Sequence, residues 1–104
     1  MDALTLKHTL DKKAPILIVD VEDRDFYRWR HISGAVNIPV DELEARAGDE
    51  LSATGSIVVY CREEGLSARA VDILMENGFQ RVSILKGGLA EWEKAEPQPA
   101  RLSK

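Results

Sequence analysis

The stretch from Ile57 to Ala70 constrains this chain more than any other. Ile57-Val58-Val59-Tyr60 is an apolar, β-branched run that leads into Cys61, the single cysteine, and Arg62-Glu63-Glu64-Gly65 follows as a short polar loop. A helix is expected to begin near Ser67. Strand, loop and helix in that order make an anion site. The C-terminal end of a buried strand opens towards solvent, and the helix N-terminus beyond it offers unpaired N–H groups and the positive end of its dipole. A sulfur placed there is expected to favour its thiolate, the form in which cysteine reacts.

The flanking chain alternates short strands with helices. Ile16 to Val19 is a continuous apolar run between Pro15 and Asp20, the mark of a strand buried on both faces, with Asp20 at its C-terminal end. Asp23 to Arg30 makes two helical turns with Phe26, and Tyr27 or Trp29, facing inward. His31 to Pro39 reads as a turn through Gly34, a strand over Ala35 to Asn37 and a stop at Pro39. Val40 to Ala47 is a polar helix ended by Gly48. Ala68, Val71, Leu74 and Met75 recur at helical spacing up to Asn77-Gly78, a helix stop. Phe79 to Leu85 is a further strand. Gly87-Gly88 lets the chain turn closely before a short helix over Leu89 to Lys94, anchored by Trp92. Near the start, Leu4, Leu6 and Leu10 give a weak pattern, helical or extended, and His8 within it reads as a surface or packing residue. The alternation predicts an α/β fold with a mostly parallel sheet and helices on both faces. Function then belongs at the C-terminal strand ends, which picks out Asp20 and Cys61 as candidates for one crevice.

Composition narrows the function classes. With 104 residues the chain suits one domain, expected over 1–95, with 96–104 as a loose tail. Hydrophobic residues at 44% argue against extensive disorder. The net charge of -4 carries no basic nucleic-acid footprint. A lone cysteine forms no internal disulfide, and no cysteine and histidine set has metal-ligand spacing, so no structural zinc is expected. The polar, mixed-charge N-terminus lacks the apolar segment of a signal peptide or membrane span, which makes a cytoplasmic location the expectation.

Three segments together resemble the rhodanese-like domain family. Asp20, followed by the complete His31-Ile32-Ser33-Gly34-Ala35-Val36-Asn37-Ile38-Pro39, looks like the family's early signature. Val58 to Arg62 looks like its catalytic strand end, and Gly78-Phe79, Val82 and Leu85 to Trp92 look like its closing segment. The resemblance implies a three-layer α/β sandwich and sulfur transfer through a persulfide on Cys61, with no cofactor and no metal. The donor would be thiosulfate, 3-mercaptopyruvate or another persulfide, and the acceptor a thiol or other nucleophile. Arg62, Glu63, Glu64, Gly65, Leu66 and Ser67 would form the substrate cradle through backbone N–H groups, which hold an anionic sulfur without further charge. With no second cysteine to resolve the persulfide, delivery is to another molecule.

Departures from the family pattern bear on the donor. Members active on thiosulfate usually carry glycine near the third position after the cysteine and often arginine near the fifth, where this chain has Glu64 and Leu66. At roughly 7 Å and an effective dielectric near 40, one carboxylate opposes a nearby anion by about 1 kcal/mol. Acids rimming the pocket would therefore favour a persulfide donor over a small dianion. Upstream, Glu22 and Phe26 stand where the family commonly has an arginine and a glutamate, which reads as loss of one structural ion pair. His31 reads as a packing and hydrogen-bonding residue. Phosphatase or arsenate reductase chemistry on this fold needs an arginine six positions after the cysteine, and Ser67 stands there. Arg69 reads as a surface charge and Ser67 as an N-cap. The rival from another class is a catalytically silent protein-binding module, in which Cys61 is an inert small hydrophobe.

Overall fold

The computed structural model describes residues 1–63 and 65–95; Glu64 and the expected tail 96–104 lie outside the described residues. Among the described residues nine elements follow one another: α1 (Ala3–Asp11), β1 (Leu17–Asp20), α2 (Arg24–Trp29), β2 (Val36–Asn37), α3 (Val40–Glu50), β3 (Ile57–Tyr60), α4 (Gly65–Glu76), β4 (Val82–Ile84) and α5 (Gly88–Ala95). The four strands form one parallel sheet in the order β2-β1-β3-β4. All four residues of β3 are buried, as a central strand covered on both faces requires.

Side chains alternate across the sheet and divide the core in two. Val19, Ile57, Val59 and Cys61 pack with Val40, Leu43 and Ala47 of α3 and with Ala70 and Leu74 of α4. Ile18, Val58 and Tyr60 pack on the other face with Ala3 and Leu6 of α1 and with Leu89 and Trp92 of α5. This is the α/β sandwich expected, with helices on both faces.

Several local expectations need correction. The weak pattern near the start is helical: Asp2 caps α1 by accepting the Thr5 N–H at 2.7 Å, and Leu6 faces the core. Gly48 does not end α3. Arg46 spans Glu42 and Glu50 at i,i+4 spacing, and Leu43, Ala47 and Leu51 keep an inward row, which together outweigh the roughly 1 kcal/mol cost of a mid-helix glycine. Phe26 and Tyr27 are half-buried, whereas Trp29 is 57% exposed. On α4 the inward row is Ser67, Ala70 and Leu74, while Ala68 and Met75 face solvent. The predicted stop is present: Gly78, at φ +90°, donates to Met75 O and Phe79 donates to Leu74 O, the paired bonds of a Schellman motif. β4 is shorter than expected because Phe79 packs under α4 as part of that stop instead of extending the strand.

Candidate functional site

Cys61 follows the last residue of β3, whose end is pinned on both sides: Val21 donates to Tyr60 O at 3.0 Å and Leu85 donates to Val59 O at 2.9 Å. The thiol lies 2% exposed, and Sγ donates to Ser67 Oγ at 3.7 Å. α4 begins at Gly65, two residues before the expected start. Ser67 therefore stands inside the helix and faces the sulfur, and is not the N-cap; small residues at 67 and 70 let α4 approach β3 closely.

The loop after Cys61 is held from the α5 side. Leu89 donates to Cys61 O at 2.9 Å and Ala90 to Arg62 O at 3.2 Å, so the first turn of α5 spends orphan N–H groups on loop carbonyls. A trans peptide sends its N–H opposite to its carbonyl. The Arg62 N–H accordingly points away from α5, where Glu22 Oε2 accepts it at 2.9 Å. This corrects the expected cradle, because Arg62 gives no N–H to an anion at the sulfur. The N–H groups of Glu63, Gly65 and Leu66 have no hydrogen-bond partner among the described residues, and the space beyond the Gly65 Cα is open. The part expected of Glu64 falls outside the described residues.

Cations beside the loop are already engaged. The Arg62 guanidinium lies 4.4 Å over the Phe26 ring, with Nε 3.5 Å from Glu22 Oε2. The presumed lost ion pair is thus replaced by a different one, in which Glu22 faces Arg62 across the site. Arg30 pairs with Glu93, and Arg69 Nη1 stands 3.9 Å from Asp41 Oδ1 between two exposed side chains. Beside the loop, Phe26, Trp29, Arg62, Glu63, Leu89 and Glu93 contribute to a groove of about 390 Å³.

Asp20 and Cys61 do not share a crevice. Asp20 stands in register with Tyr60, so its carboxyl points to the α1/α5 face while Cys61 points to the α3/α4 face. Its Oδ1 accepts the Glu22 N–H at 2.9 Å, and Asn37 Nδ2 donates to the carbonyls of both Asp20 and Glu22. Asp20 therefore reaches the loop through Glu22. Burial pushes the Asp20 carboxyl up to about 6, against the pull of the Tyr60 hydroxyl and the Glu22 N–H. Burial likewise raises the Tyr60 phenol, reinforced by the Asp20 charge, and its oxygen accepts the Ile32 N–H at 2.9 Å. His31 has the packing role expected: its ring stacks on Tyr27 at 4.0 Å, and Nδ1 donates to Tyr27 O at 2.6 Å. Sequence reasoning missed Glu22 as a site residue; an acid two positions after a buried strand end, itself a departure from the family pattern like Phe26, was the available signal.

The fold and this geometry define a class: an α/β domain with a cysteine at the end of a central parallel strand, facing the N-terminus of a helix. The family model for the rhodanese-like domain matches residues 2–95, and the chain belongs to that family. It is 34% identical to the thiosulfate sulfurtransferase GlpE of Coxiella burnetii, covering 85% of this chain and 81% of that one. It is 37% identical to the human centrosomal protein of 41 kDa, covering 79% of this chain and 25% of that one. The crystal structure of the Alr3790 protein from Anabaena sp. superposes with a TM-score of 0.90 at 38% identity, covering 99% of this chain and 92% of that one. The chain spans 25%, 59%, 30% and 46% of the length of four curated relatives, the human protein among them. No helix among the described residues is long and apolar enough to cross a membrane.

Proposed function

We propose that residues 1–95 form a sulfurtransferase domain that moves a sulfane sulfur through a persulfide on Cys61. The reading rests on one observation: a free cysteine at the end of buried β3 stands where loop and helix leave the N–H groups of Glu63, Gly65 and Leu66 without partners among the described residues. The Cys61 thiolate attacks the outer sulfur of the donor, a new S–S bond forms, and the old one breaks with its electron pair on the leaving group. From thiosulfate that group is sulfite; from a persulfide R–S–S⁻ it is the thiolate R–S⁻. An acceptor thiolate then takes the outer sulfur and Cys61 leaves as thiolate, so each half-reaction balances without an oxidant. Gly65, Leu66 and Glu63 hold the anionic outer sulfur, and Ser67 contacts the inner one. Donor and acceptor are a small sulfur compound or a persulfide-bearing protein and a thiol, in a cytoplasmic setting, with neither nucleic acid nor membrane as partner.

Intact mass after incubation with thiosulfate, and separately with a persulfide donor, tests this. A gain of one sulfur, absent from Cys61→Ser, is the expected result. The burial of Cys61 favours a second reading, a silent binding module. That reading gains if neither donor adds mass and Cys61 also alkylates slowly near neutral pH.

A further inference from the structure

Two carboxylates are buried among the described residues, and one of them, Glu22, touches the loop that follows Cys61. It is 5% exposed. The nitrogen that it accepts from is bonded to the carbonyl carbon of Cys61. Bond lengths keep Sγ within about 5 Å of that nitrogen, and hence the carboxylate within about 8 Å of the sulfur. The backbone that carries Glu22 is pinned. Its N–H is held by Asp20 Oδ1, its carbonyl accepts from Asn37 Nδ2, and Val40 donates to Val21 O next to it. The cation carried by the loop, Arg62, is drawn over Phe26 and beside Glu22, and Arg30 and Arg69 face carboxylates of their own. An incoming donor therefore meets three N–H groups and an ion pair whose negative member, Glu22, is buried and fixed while its positive member, Arg62, is exposed to solvent and screened by it.

We infer that Glu22 sets donor specificity at Cys61: it admits donors with a single negative charge at the reacting end, persulfides R–S–S⁻, and turns away dianions such as thiosulfate. The inference rests on the sulfurtransferase reading and narrows its donor class. Both donors deliver the same neutral sulfur atom to the thiolate, with sulfite leaving from one and R–S⁻ from the other. The difference between them at Glu22 is one unit of charge. At about 8 Å and an effective dielectric near 40, that unit is worth about fivefold in rate.

The test is Glu22→Gln, which keeps an acceptor for the Arg62 N–H and removes the charge. The ratio of kcat/KM for thiosulfate to that for 2-hydroxyethyl persulfide should rise about fivefold. So should the ratio of Cys61 alkylation rates by iodoacetate and by iodoacetamide, an anion and a neutral reagent. Each ratio compares two reagents that consume the same thiolate, so any change in thiol ionisation cancels. Added salt gives a second measurement: it screens the charge and should raise both ratios more in the wild-type protein than in Glu22→Gln. A purely structural Glu22 would slow all four reactions together and leave both ratios unmoved, which overturns the inference. A shifted alkylation ratio in a protein that neither donor loads would instead remove the sulfur-transfer reading and the donor assignment with it.

Discussion

Gly88→Ala is expected to lower the unfolding free energy by about 2–5 kcal/mol and to abolish sulfur loading of Cys61. Gly88 sits at φ +62°, where an L side chain costs about 1–2 kcal/mol. Its added Cβ would stand 2.2 Å from Glu63 O, 2.4 Å from Cys61 O and 2.9 Å from Arg62 O. Those are backbone atoms of the proposed catalytic loop and cannot rotate aside, so the loop or α5 must shift, and overpacking of this kind adds about 1–3 kcal/mol. Any shift also breaks the Leu89 and Ala90 bonds that orient the loop carbonyls, and with them the N–H groups on the other side. Gly87→Ala is the control. Its φ of +75° is as unfavourable, and its Cβ would stand 2.0 Å from Glu91 Cγ, which can rotate aside, and 2.8 Å from Glu91 Cβ, which needs a small shift of α5, but it meets no backbone atom of the loop. Urea unfolding should therefore show a distinctly larger drop in midpoint for the variant at 88 than for the one at 87, and persulfide formation by intact mass should survive at 87 alone. Equal midpoints for the two variants would mean that α5 does not clamp the loop.

The contrast between these two glycines also shows what was legible in the sequence. A Gly-Gly pair before a helix announces a tight turn, but which of the two touches the loop depends on how α5 docks, and docking is a tertiary fact. The strands were readable because buried parallel strands leave continuous apolar runs, Ile57 to Tyr60 above all. The strand end that carries Cys61 was readable for the same reason. Helix boundaries were less so. Ser67 has the chemistry of an N-cap, yet the burial of Ser67 and Ala70 against β3 decides where α4 starts, and small size rather than hydroxyl character is what matters there. Gly48 looks like a stop until Arg46 bridges Glu42 and Glu50. Asp20 and Cys61 stand at the ends of adjacent strands, which reads as convergence, but a one-residue difference in where each stands puts their side chains on opposite faces. Glu22 was the costliest omission. Local patterning marks it only as an acid close to a buried strand end; the N–H it holds lies 40 positions away, and that contact is tertiary.

Asp20→Asn should remove a pH dependence of stability worth about 3 kcal/mol. The carboxyl is fully buried and titrates at about 6, against 3.8 for an ordinary aspartate. Burial is the main cause; the neighbouring Glu22 charge adds to it, and the Tyr60 hydroxyl, the Glu22 N–H and His31 oppose it. Between pH 4 and 6 the native state keeps a proton that the unfolded chain has already lost. Stability therefore falls as pH rises through that window and is flat with respect to this group above it. At neutral pH the raised value leaves the native state about 3 kcal/mol less stable than an ordinarily titrating carboxyl would. Other carboxylates titrate in the same range, but they are common to wild type and variant. The informative quantity is therefore the stability of Asp20→Asn minus that of wild type, measured by urea unfolding at pH 4 and at pH 7.5. That difference should grow by about 2.5 kcal/mol towards the higher pH. A difference independent of pH would mean that the carboxyl titrates normally and that burial does not strain it. A strand end that holds such a charge at neutral pH gives up stability that a neutral amide would keep. The ionised Oδ1 is the stronger acceptor for the Glu22 N–H, and Glu22 in turn holds the Arg62 N–H. Two acids in series at the sheet end thus fix the first peptide of the Cys61 loop.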